Sequence, residues 1–98
     1  MYIIRDIFHL KFGHFKDAKT LLDEANSKKM LPDAKNLRIL SDFTGDAYRL
    51  IMEAGFETLA DYEKSLGASM SQDGWKQWYE NFKNHVDSSQ REILKLIM

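Results

Sequence analysis

Three kinds of side chain in this sequence could do chemistry on a small molecule. Asp6 stands inside an apolar run, YIIRDIFHL, on the same alternation parity as Tyr2, Ile4, Phe8 and Leu10. A carboxylate among apolar neighbours loses solvation of its charged form, which raises its pKa and suits it to act as a general base. His85 is an imidazole, the side chain whose ordinary pKa lies nearest neutrality, and it can relay a proton. Tyr48, Tyr62, Trp75, Trp78 and Tyr79 offer aromatic walls with polar tips. Together they read as the lining of a cleft for a small apolar ligand. Asp6 and His85 are then the candidate catalytic groups, and the five aromatics are the candidate ligand-binding groups. A blander reading stands beside this one. The aromatics are also what a core needs, Asp6 could bond a nearby donor such as a tyrosine hydroxyl, and His85 suits the last turn of a helix.

Other chemistries lack their residues. His9, His14 and His85 stand at no metal-ligand spacing, so neither a metal site nor a cofactor is expected. There is no cysteine, which removes disulfides, thiolate catalysis and cysteine–zinc sites. No glycine-rich phosphate loop or nucleophile elbow occurs. The 14 basic and 15 acidic side chains leave a formal net charge of −1, too little to recruit nucleic acid or an anionic membrane. Arg5 and Asp6 interrupt the apolar amino terminus, so it is not read as a signal peptide. No apolar run approaches the ~18 residues of a membrane span. A cytoplasmic protein is the default expectation.

The elements that must position these groups are readable from periodicity. The 98 residues suit one compact domain over 1–98. Residues 2–12 alternate as a strand, and Gly13 breaks the run. Residues 14–30 are helical, with Phe15, Ala18, Leu22 and Ala25 on one face and Pro32 beyond the end. NLRILSDF and YRLIMEAGF flank a short polar turn, TGDA, and form a hairpin over 36–56 that Gly55 closes. Thr58 is a plausible cap for a two-turn helix, with Asp61 three residues on and Gly67 ending it. Ser71 can cap a further helical piece whose stripe is Trp75, Tyr79, Phe82 and Val86. DSSQ reads as a polar break before a last strand, EILKLIM. The order is that of a ferredoxin-like βαββαβ unit: a four-stranded antiparallel sheet, right-handed crossovers, and helices on one face.

Helices on one face leave the other face open. Ile4, Phe8, Leu10, Leu37, Ile39, Phe43, Tyr48, Leu50, Met52, Leu94 and Leu96 make the more apolar set, expected under the helices. Ile3, Ile7, Leu40, Ile51, Ile93 and Ile97 fall on the other side, among Arg5, His9, Arg38, Asp42, Arg49, Glu53 and Lys95. Charged stems could shield these aliphatics singly. The sharper expectation is a homodimer that buries them sheet to sheet.

The strand and turn IIRDIFHLKFG, the segment FETLADYEKSL, the aromatic helix and the terminal strand resemble the NIPSNAP-like proteins of the dimeric α+β barrel superfamily. That resemblance implies a sheet-to-sheet dimer and an activity that is poorly defined. The superfamily includes haem-degrading monooxygenases, which are similar in an Asn on the first strand and a Trp and a His ten residues apart. Here Trp75 and His85 stand ten apart and Asp6 takes the place of the Asn. Carboxylate thus replaces amide. A helical ten-residue step also turns by about 280°, leaving the two side chains on adjacent faces. RNA-recognition domains share the topology but need aromatics on the open face, where this chain has Arg49, Ile51 and Glu53. The leading expectation is a protein that binds or transforms a small apolar molecule, by oxygenase or isomerase chemistry. The alternative is a non-enzymatic, self-associating or protein-binding domain.

Overall fold

The computed structural model describes residues 1–45 and 48–98. The elements run β1 (Tyr2–Leu10), α1 (Phe15–Ser27), β2 (Lys35–Ser41), β3 (Arg49–Phe56), α2 (Leu59–Met70), α3 (Trp75–Lys83) and β4 (Val86–Lys95). The strands form one sheet in the order β2-β3-β1-β4, every neighbouring pair antiparallel. This is the ferredoxin-like arrangement, with the second crossover split into two helices. The turn expected over 44–47 lies partly outside the described residues.

All three helices cover the same sheet face. Leu10 and Leu50 from the two central strands pack with Ala18 and Leu22 of α1 and Phe82 of α3. Ile4, Ala54 and Phe56 pack against Tyr62 of α2 and Leu37 of β2. The three- and four-residue spacing of Ala18, Leu22 and Ala25 buries that stripe of α1 completely. Thr58 caps α2 as its sequence suggests, its hydroxyl accepting from the Asp61 N–H at 3.1 Å.

Several expected boundaries move. Phe12 lies beyond β1 and is exposed, and β3 runs through Gly55 to Phe56. Gly67 does not end α2, which continues to Met70, with Ser71 closing it rather than opening the next helix. Gly74, at φ +84°, begins α3 instead. Only glycine adopts that conformation cheaply.

The largest departure concerns the last strand. It starts at Val86, which therefore leaves the helical stripe, and DSSQ is strand rather than break. Ile4 faces Ile93 and Ile3 faces Leu94, so Ile93 shares the helix side and Leu94 the open side, the reverse of the expected assignment. Apolar residues alternate equally well at either parity, and only pairing with β1 chooses between them. The helices also fail to reach over this edge: every β4 residue after Val86 is exposed. Phe43 and Ile39 on β2's side are exposed too, not core.

On the open face, Ile7 and Ile51 sit directly opposite each other and are only 5% and 7% exposed within the single chain. Around them Arg38, Glu53, Arg5 and Glu92 form a row of ion pairs crossing β2, β3, β1 and β4 in turn. Charged stems thus shield the centre of this face. Leu40 at 37% and Leu94 at 43% remain exposed on it.

Candidate functional site

A cleft of about 320 Å³ lies between the sheet and the helix layer. Its floor is Asp6 and Phe8 of β1 with Met52 of β3, all on the helix-facing parity. One wall is α2, with Tyr62, Ser65, Leu66 and Ser69, and the roof is α3, with Trp75, Trp78, Tyr79 and Phe82. Ser89 and Arg91 of β4 line the edge that the helices leave uncovered.

The aromatic roof is held by stacking. Trp78 lies parallel to Phe82 at 5.0 Å between ring centroids, and Phe82 meets Phe8 edge-on at 5.1 Å. Trp78 also donates its indole N–H to the Leu21 carbonyl at 2.6 Å, tying α3 to α1. Trp75 stacks on Tyr79 at 5.0 Å. The four-residue spacings 75–79 and 78–82 make both stacks, since such residues are neighbours on a helix.

The polar groups gather at the β4 edge. Asp6 faces Arg91 across the strand pair, and Arg91 Nε donates to Asp6 Oδ1 at 2.6 Å. The Asp6 side chain is 15% exposed. It does not stand alone among apolar groups, and its partner is an arginine rather than a tyrosine hydroxyl. Burial works against the charge of Arg91, but the hydrogen bond and charge of Asp6 outweigh it and hold the guanidinium more firmly protonated. The guanidinium carbon lies 5.8 Å from the Tyr62 ring centroid. The Tyr62 hydroxyl is buried: the Arg91 side chain approaches its oxygen as a donor, but its own O–H finds no acceptor among the described residues, and the Ser65 hydroxyl finds no partner there either. Desolvation pushes the Tyr62 phenol above its ordinary value and the Asp6 charge adds to this, against the pull of Arg91. Tyr62 is therefore a neutral donor at any physiological pH.

Five of the seven sequence-derived candidates meet here: Asp6, Tyr62, Trp75, Trp78 and Tyr79. Two do not. Tyr48 packs against Phe12 at 4.9 Å at the start of β3 and lines a separate, shallower depression with Phe15, Asp42 and Arg49. His85 lies at the α3–β4 junction, where its Nδ1 is 2.9 Å from that of His14. Trp75 and His85 are thus not partners across one cavity, and the Asp6–Trp75–His85 grouping is not assembled. The sequence led to no expected metal site; in the fold, His14, Asp17 and His85 nevertheless present potential ligand atoms within 4.8 Å of one another. Sequence spacing hid this set, since His14 and His85 are 71 positions apart. Arg91 was missed for a related reason. The strand residue opposite Asp6 is identifiable only once the register is known.

Among the described residues no helix is long and apolar enough to cross a membrane. No protein-family model matches the chain, and no curated protein matches it significantly. Solved structures do resemble it. A NIPSNAP family protein from Agrobacterium tumefaciens superposes with a TM-score of 0.86 at 19% identity, covering 96% of this chain and 90% of that one. An uncharacterised NIPSNAP domain protein from Burkholderia xenovorans gives a TM-score of 0.87 at 8% identity, covering 99% and 95%. A provisionally assigned antibiotic biosynthesis monooxygenase from Nitrosomonas europaea gives 0.75 at 13% identity, with all of both chains covered. At such identities the likeness is one of fold. The chain therefore has the fold of NIPSNAP-family proteins and, at greater distance, of a monooxygenase-like α+β subunit.

Proposed function

We propose that the cleft binds a small, mainly apolar molecule carrying a carbonyl or similar hydrogen-bond acceptor. The observation that carries this reading is the Tyr62 hydroxyl, whose buried O–H has no acceptor among the described residues and faces a cleft lined largely by apolar and aromatic side chains. A buried donor without a partner costs about 1–3 kcal/mol, and a ligand acceptor would recover it. The chemistry that fits is proton transfer next to a carbonyl. The Asp6 carboxylate takes a proton from the adjacent carbon, and the electron pair moves onto the carbonyl oxygen. Tyr62 donates a hydrogen bond to that oxygen, with the Arg91 charge nearby. Return of the proton to another carbon is an isomerase step; an oxygenase course needs dioxygen as co-reactant.

The test uses 1-tetralone, an apolar bicyclic ketone. Trp75 and Trp78 are the chain's only tryptophans and both line the cleft, so intrinsic fluorescence reports occupancy directly. Saturable quenching is expected, weakened about tenfold in Tyr62→Phe, the equivalent of one hydrogen bond. Hydrogen–deuterium exchange at the ketone's acidic carbon, followed by NMR, should be lost in Asp6→Asn while quenching persists. Quenching that Tyr62→Phe leaves unchanged disproves the assignment.

A second reading concerns self-association through the open sheet face. Leu40 and Leu94 favour it, because they remain exposed on opposite sides of the Arg38–Glu53–Arg5–Glu92 row, Leu40 beside Ile51 and Leu94 opposite Ile3. It is compatible with ligand binding on the opposite face.

A further inference from the structure

We propose that His14, Asp17 and His85 form a binding site for a divalent first-row transition metal, separate from the cleft. The Nδ1 atoms of the two histidines converge to 2.9 Å, and His14, Asp17 and His85 each offer a ligand atom within 4.8 Å of the other two. Two imidazoles and one carboxylate are a donor set that suits nickel, copper, zinc or non-haem iron and leaves positions for water. The separation is that of a hydrogen bond between the two rings, which a bound ion would replace.

The backbone holds these ligands in place. His14 directly precedes α1 and Asp17 follows three residues later, so both face the same way from the helix start. His85 follows the end of α3. The Lys11 N–H donates to the His85 carbonyl at 2.9 Å, and the Lys11 carbonyl accepts from the His14 N–H at 3.0 Å. One residue thus ties both histidines to the end of β1. The positive end of α1 works against a cation there, and the Asp17 carboxylate in its first turn offsets that field. A bound ion would join the start of α1 to the α3–β4 junction. None of the three ligands lines the cleft, so this proposal stands apart from the ligand-binding one.

The chain has three histidines, which supplies an internal control: His9 lies on the open sheet face, opposite Arg49. Tag-free, chelator-treated protein is titrated calorimetrically with Ni²⁺ and with Zn²⁺. One ion per chain is expected, with a rise in Tm on loading because the folded state alone holds the site. His85→Ala should weaken binding more than about tenfold, and His9→Ala should not change it. Asp17→Asn alters an exposed residue without disturbing the fold, and should weaken binding several-fold. In NMR spectra Ni²⁺ should broaden the His14 and His85 ring signals and spare His9. Absence of saturable binding overturns the proposal and leaves a hydrogen bond between two imidazoles as the full account. Binding by folded Asp17→Asn or His85→Ala equal to the parent, or broadening of all three rings alike, overturns it as well.

Discussion

Tyr62 carries a buried hydroxyl whose O–H donates to no described residue, although the Arg91 side chain approaches its oxygen. If it is kept for a ligand, removing it should strengthen the empty protein. Tyr62→Phe is expected to raise unfolding stability by about 1 kcal/mol in urea titration while weakening ketone binding, the usual exchange between stability and function. Asp42 makes the opposite kind of case. Burial pushes its carboxyl up, but the Arg49 backbone N–H at 2.7 Å, the Arg49 side chain at 2.8 Å and the Arg49 charge together hold it below its ordinary 3.8. A carboxyl with a depressed folded-state pKa contributes stability above its unfolded value. That contribution is lost as pH falls through 3.8 toward the folded value. Glu57 follows the same sign, held low by its hydrogen bond with Lys35 and by the Lys35 charge. Arg49→Gln should therefore lose less stability than the parent between about pH 5 and pH 2, measured by thermal unfolding across that window. Equal losses in both would place the acid sensitivity elsewhere.

Among the elements, α2 and β4 decide what the cleft can be. Tyr62 and Ser65 reach the cleft because α2 starts where Thr58 caps it. Thr58→Ala should cost about 1 kcal/mol, seen as a lower urea midpoint at unchanged slope. Fraying of that first turn should also weaken tetralone quenching, since Tyr62 is the fourth residue of the helix. β4 acts differently. Its exposed residues Ser89 and Arg91 form the unroofed side, and its pairing with β1 brings Arg91 against Asp6. A polar edge strand of this kind resists unwanted pairing with other chains while leaving an entrance.

Taking the molecule as a whole, the open sheet face carries both a shielded centre and exposed aliphatics. Ile7 and Ile51 are already buried in one chain, so placing a charge at either would damage the monomer and say little about association. Leu40 and Leu94 are the better probes. Full burial of such side chains from two copies contributes about 1.5–3 kcal/mol each, part of which offsets lost rigid-body freedom. An isologous contact would also bring the Arg38–Glu53–Arg5–Glu92 row against its own copy, opposite charges facing if the rows run antiparallel. Light scattering on the parent should give twice the chain mass at tens of micromolar, and Leu40→Asp or Leu94→Asp should give a folded monomer. A monomeric parent would leave the shielding row as the complete answer for this face.

The strand order of the central hairpin, the buried stripe of α1 and the Thr58 cap were legible because each depends on local periodicity or one local hydrogen bond. Asp6, Tyr62, Trp75, Trp78 and Tyr79 were legible as cleft residues because helix spacing and strand parity place them on one side of a two-layer fold. Periodicity failed at β4, where an exposed edge strand has no buried face to impose alternation, so DSSQ looked like a break. Its parity was settled only by pairing with β1, which sent Ile93 under the helices and Leu94 to the open face. The same holds for the contacts that give the molecule its chemistry. Asp6 and Arg91 are 85 positions apart, and His14 and His85 are 71 apart. A sequence states which side chains share a face of their own element. Which element lies against which, at what register, is set by burying those faces together, and both polar sites lie at such junctions.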